Sequence, residues 1–158
     1  MLEFDFNGNL KPYYAIESTL EEVERFFVAA FPASNTRKQL FDHYKLYTEA
    51  LKVEIDAPFF QYLNGSFVTK KLNPNDIDLV TFINYEILKS KESIWKKFKD
   101  GNLFPGIDGY LERVYPENHP YFVRFQTDLL YWNDLFTKSY ARQPKGYLKI
   151  IFNHDNNT

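Results

Sequence analysis

Asp76 and Asp78 flank a single apolar residue, Ile77, and the run that follows, Leu79-Val80-Thr81-Phe82, has the composition of a β-strand. Residues two apart on a strand leave the same face, so both carboxylates point one way while Ile77 and Leu79 turn into the core. Two hard oxygen ligands side by side suit magnesium. Upstream, the apolar run Pro58-Phe59-Phe60-Gln61-Tyr62-Leu63 leads into Asn64-Gly65-Ser66, and the short segment after it ends in Lys70 and Lys71. A strand that turns through glycine into a helix start directs backbone N–H groups, a serine hydroxyl and a positive dipole end at one point, where phosphate fits. Together these halves read as a site for a nucleoside triphosphate and a metal. Lys70 or Lys71 supplies an ammonium near the phosphates, with Arg142 and Lys145 as weaker candidates. Ser66 can cap the following helix and bind phosphate at once. The plainer alternative makes Asp76 a turn residue after Asn73-Pro74-Asn75 and Asp78 a solvent-facing strand residue.

This order of Gly65-Ser66, a spacer and Asp76-Ile77-Asp78 resembles the signature of the polymerase β-type nucleotidyltransferase superfamily. The chain departs from it at Asn64, where an apolar residue is usual. The superfamily's third carboxylate, on a later strand, is matched by Asp128 in Val123-Arg124-Phe125-Gln126-Thr127-Asp128-Leu129-Leu130-Tyr131. A lone carboxylate among such apolar and aromatic residues is costly unless a cation compensates it. The whole chain looks like a small bacterial domain akin to the minimal nucleotidyltransferases of toxin–antitoxin operons. The shorter stretches Phe6-Asn7-Gly8-Asn9-Leu10 and Pro144-Lys145-Gly146 have the look of that group too.

The chain's 158 residues and 44% hydrophobic content suffice for one domain with its own core, set at 1–152 with a polar tail over 153–158. Aromatic residues make up 19%, so the core is expected to be built largely of rings. The absence of cysteine excludes disulfides, thiolate metal sites and thiol nucleophiles. The N-terminus lacks a signal-peptide pattern and no run is long enough to span a bilayer, so a soluble cytoplasmic protein without membrane partners is expected. A net charge of −2 weakens the case for a protein that grips nucleic acid by general phosphate attraction, although a local patch remains open. His43, His119 and His154 show no ligand spacing, and neither a nucleophile elbow nor a P-loop is present.

The positioning elements follow from period and punctuation. Thr19-Leu20-Glu21-Glu22 is a capping box that opens a helix toward Phe31, and Pro32 ends it. A second helix begins near Ser34 or Asn35 and buries Leu40, Tyr44, Tyr47 and Leu51. Runs 58–63 and 76–83 are strands. A lysine-rich helix spans Glu86–Asp100 with Ile87, Ile94, Trp95 and Phe98 inward, its lysines at 89, 91, 96, 97 and 99 forming a solvated face. Tyr110, Leu111 and Val114 suggest a short helical piece, the run 121–131 a third strand, and Tyr147–Phe152 a last one. The expected fold is α/β (α+β), a nucleotidyltransferase-like mixed sheet of about four strands covered by helices.

The resemblance implies a transferase moving a nucleoside monophosphate from a triphosphate such as ATP to a hydroxyl of an RNA or protein acceptor. It implies two Mg2+ ions, replaceable by Mn2+, held by Asp76, Asp78 and Asp128, with Gly65, Ser66, Lys70 and Lys71 on the nucleotide. A partner protein or a homodimer completes the site of so small a domain. The alternative is a catalytically silent module of the same fold, an antitoxin or regulatory subunit.

Overall fold

The computed structural model describes residues 2–99 and 103–153. Asp100, Gly101 and the tail beyond Asn153, with His154, lie outside them. The chain runs through β1 (Glu3–Phe4), β2 (Leu10–Lys11), β3 (Ala15–Glu17), α1 (Leu20–Glu24), α2 (Arg37–Ile55), β4 (Phe59–Asn64), β5 (Ile77–Asn84), α3 (Tyr85–Ser90), α4 (Glu92–Lys99), β6 (Ile107–Val114), α5 (Phe122–Phe136) and β7 (Tyr147–Phe152). Strands β1 and β2 form a small antiparallel pair. The other five make a mixed sheet in the order β3-β7-β4-β5-β6.

Strand β4 is antiparallel to both β5 and β7, while β6 runs parallel to β5 and β3 parallel to β7. The C-terminus of β4 therefore meets the N-termini of β5, β6 and β7 at one end of the sheet. The sheet is mixed, as expected, but only β4, β5 and β7 answer to expected strands, and β3 and β6 complete it.

The sheet is buried on both faces. Ile77, Leu79 and Ile83 of β5 join Tyr44, Tyr47 and Leu51 of α2 in one core, with Ile94 and Phe98 of α4. Val80 and Phe82 face the other way, into a smaller aromatic core with Tyr62, Tyr147 and Trp132 and Phe136 of α5. Between α2 and the sheet, Gln61 is fully buried, so its amide must find partners. It accepts from the Tyr44 hydroxyl (2.7 Å) and donates to Thr81 Oγ1 (3.1 Å).

Local signals held where period and caps agreed. Thr19 accepts from the Glu22 amide at 3.2 Å, and α1 continues as a π-helical stretch over Arg25–Ala29. Two expectations are corrected. Residues 107–114 form a strand, not a helical piece: Ile107 and Leu111 are buried while Asp108 and Tyr110 are exposed, so the residues two apart share a face. The run 121–131 is helical, because Phe125, Leu129, Trp132 and Phe136 recur at four, three and four residues and pack on the sheet as one stripe. The lysine-rich helix is divided at Lys91 into α3 and α4.

Candidate active site

Where β4 ends, Gly65 takes φ +86, a left-handed value that favours glycine. A Cβ there would stand 3.0 Å from Asp78 Oδ2, so glycine also lets the turn close over this carboxylate. The next residues, Ser66–Val68, make a single 3-10 turn. The helix expected after Gly65 is thus only three residues long, too short to present a substantial dipole.

Buried Arg37, in the first turn of α2, shapes the loop that follows. Its guanidinium donates to Phe67 O (2.6 Å), Thr69 O (2.7 Å), Lys71 O and, from the α1 side, Phe27 O (2.9 Å), with its plane over the Phe31 ring at 4.0 Å. No local pattern in the sequence marks Arg37 for this role, because its four acceptors lie 10 to 34 residues away.

Asp78 lies against Gly65, and Asp76 and Asp108 act on it with their charges. Asp76 is exposed just ahead of β5, Asp78 is half-buried on it, and Asp108 is the register partner of Asp78 on β6. Burial, then the charges of Asp76 and Asp108, raise the Asp78 carboxyl to about 6.

Asp128 does not join them. It lies on α5 beside Glu112 of β6, and both carboxyls are raised chiefly by desolvation. The carboxylate next to the pair is Asp108, whose signal was present: Ile107-Asp108 repeats the Ile77-Asp78 opening of a buried strand. Among the described residues no group of three or more His, Cys, Asp or Glu is arranged so as to hold a metal ion.

A cavity of about 410 Å³ opens from Asp78 toward the C-terminal end of α5, lined by Asn64, Gly65, Ser66, Asp78, Tyr140 and Lys145. Lys145, ranked below Lys70 and Lys71 on sequence, is the lysine that enters near Asp78. It is 5% exposed, its ammonium donates to Gly65 O at 3.3 Å, and burial lowers it to about 8 against the opposing pull of Asp78. Lys70 and Lys71 are exposed and not among the lining residues, and Arg142 is exposed with φ 60.

Asn64, the departure from the expected apolar residue, pairs in register with Asp78. It is 6% exposed, and its Oδ1 is buried with no hydrogen-bond partner. A buried acceptor lining a cavity is satisfied by a donor that enters it.

The two outlying stretches also converge here. Gly146 N donates to Leu10 O (2.7 Å), Lys70 N to Gly8 O (2.9 Å) and Asn9 Nδ2 to Pro144 O (3.4 Å), which ties the stretches together and brings Asn9 and Lys145 into the cavity lining. Gly146 is needed for that approach, since a Cβ would meet Pro12 O at 2.2 Å.

The chain belongs to a family of unknown function, DUF6932, whose profile matches residues 2–151. No curated protein and no solved structure matches it.

Proposed function

We propose that this protein is a metal-dependent nucleotidyltransferase, moving a nucleoside monophosphate from a triphosphate to a hydroxyl of an RNA or protein acceptor. The observation that carries the reading is the meeting of the Gly65-Ser66 turn with Asp78 in the lining of one cavity, Asp78 having Asp108 as its register partner on the neighbouring parallel strand.

The charge of the cluster suits a divalent cation, and its three carboxylates would have to draw together around it to bind it. Burial, then the charges of Asp76 and Asp108, hold the proton on Asp78 to about 6, and a cation relieves the repulsive part of that cost. Asp76, Asp78 and Asp108 would hold Mg2+ or Mn2+, with Asp108 in the role that the sequence assigned to Asp128. When bound, the metal supplies charge neutralisation at the triphosphate and activation of the acceptor oxygen.

The chain's own groups do the rest. Ser66 and the Lys145 ammonium bind the β- and γ-phosphates, and Asn64 Oδ1 accepts from a hydroxyl of the bound nucleotide. The acceptor oxygen forms a new bond to the α-phosphorus as the bond to the β-phosphate's bridging oxygen breaks, and pyrophosphate leaves. Asp108, exposed at the edge of the sheet, takes the acceptor's proton.

Calorimetry with ATP, GTP, CTP and UTP, with and without magnesium, tests the reading. Binding of at least one nucleotide that appears only with the metal is the expected result. Equal binding under both conditions, or none at millimolar nucleotide, overturns it and leaves a silent module of this fold.

A further inference from the structure

At the end of the sheet opposite the carboxylates, where β5 enters α3 and β6 terminates, a groove of about 620 Å³ is lined by Tyr85, Trp95 and Tyr115 and by Lys89, Lys96 and Arg113. Among the described residues lining it, Glu92 is the only acid. Its size lies within the usual range of ligand sites, roughly 300–1,000 Å³.

The rings form a series that continues beyond the groove. Tyr85 and Tyr115 stack at 4.9 Å and 26°, His119 lies 4.6 and 4.8 Å from them, and Tyr121 follows 5.5 Å further. Each end carries an arginine over a ring, Arg113 over Trp95 at 4.9 Å and Arg124 over Tyr121 at 4.0 Å. The Glu86 carboxylate at the rim accepts from the Tyr85 hydroxyl.

We propose that this groove is a binding site for single-stranded nucleic acid. Bases stack against the half-exposed rings of Tyr85 and Trp95 in the groove and the exposed Tyr121 beyond it, backed by buried Tyr115, while the linking phosphates meet the cations, and ring sites spread past one pocket suit a strand rather than a mononucleotide. The overall charge of −2 does not oppose this, because the groove gathers three cations against one carboxylate. The site is separate from the carboxylate cluster: seven strand residues from Asp78 to Tyr85 span about 23 Å at about 3.3 Å each. The proposal therefore stands without the nucleotidyltransferase reading.

Fluorescence anisotropy of end-labelled ten-nucleotide RNA and DNA single strands, titrated with the whole chain over a range of salt, tests it. Binding of either strand is expected, the tighter arm identifying its natural class. Lys89 and Lys96 are exposed, so the double variant Lys89→Gln/Lys96→Gln keeps the fold. It should weaken binding at least tenfold and reduce the salt slope by about 1.4, at about 0.7 per phosphate contact. Trp95→Leu should weaken binding about tenfold, and Trp95→Phe should restore most of it. Asp78→Asn and the control Lys38→Gln, on exposed α2 surface, should bind as the wild type does. No binding of either strand, or equal affinity for a duplex, overturns the proposal. So does an unchanged affinity in the lysine double variant, a loss of binding in Asp78→Asn, or tighter binding of an acidic phosphopeptide to the same groove.

Discussion

Asp78 and Asp108 stand side by side on parallel strands β5 and β6, and the charge of the second helps to hold the proton on the first. If that pair is the catalytic centre, Asp78→Asn and Asp108→Asn each remove nucleotidyl transfer, by at least a hundredfold. Asp128→Asn, altered at the α5–β6 contact with Glu112, retains transfer to within a few-fold. Incorporation of α-labelled nucleotide into an acceptor from the source lysate measures all three, and loss of activity in Asp128→Asn alone would reverse the assignment.

The raised Asp78 carboxyl makes metal-free stability fall as pH rises. Its folded value, about 6, lies above the unfolded value of about 3.8, so the native state binds the extra proton between them. The native advantage is complete below about pH 4 and lost as pH passes 6. Asp78→Asn should therefore be more stable than wild type above pH 6, by about 1 kcal/mol once solvent screening of a half-buried group is allowed for. Urea unfolding at pH 4 and pH 7.5 reads the difference, which should shrink at the lower pH.

Lys145→Met separates binding from folding. A buried ammonium whose folded value lies near 8 is a burden on the native state at neutral pH, so its replacement by an apolar side chain of similar length should leave stability unchanged or higher. Triphosphate affinity should fall at least tenfold. A clear drop in melting temperature instead would show that the bond to Gly65 O serves the fold.

Gly65→Ala tests the close approach over Asp78. The positive φ alone costs a side chain about 1 kcal/mol, and the new Cβ would press on a carboxylate oxygen 3.0 Å away. A modest loss of stability with a large loss of metal-dependent nucleotide binding is expected from paired thermal and calorimetric measurements.

Arg37→Met should be the most damaging of these changes. It leaves the carbonyls of Phe27, Phe67, Thr69 and Lys71 without their donor inside the protein, at a cost of at least about 3 kcal/mol. Denaturant unfolding measures this, and because the loop carrying Ser66 loses its anchor, nucleotide affinity should fall in parallel.

Much of this was written locally in the chain. The Thr19 cap, the α2 stripe of Leu40, Tyr44, Tyr47 and Leu51, and the alternation through Asp76-Ile77-Asp78-Leu79 depend on neighbours a few residues away, so period and cap residues sufficed to find them. The run 121–131 was ambiguous for the same reason: its β-forming residues hide a helical stripe that becomes plain only with Trp132 and Phe136 included. The membership of the site was decided by pairing. Asp108 stands beside Asp78 because β6 adds in parallel to β5, and Asp128 stands apart because its segment is the helix packed on the opposite face from α2. Lys145 reaches Gly65, 80 residues earlier, because β7 inserts between β3 and β4 and begins at the end where β4 stops. Strand order is set by the fit of whole faces against the two cores, and no window of sequence contains that information.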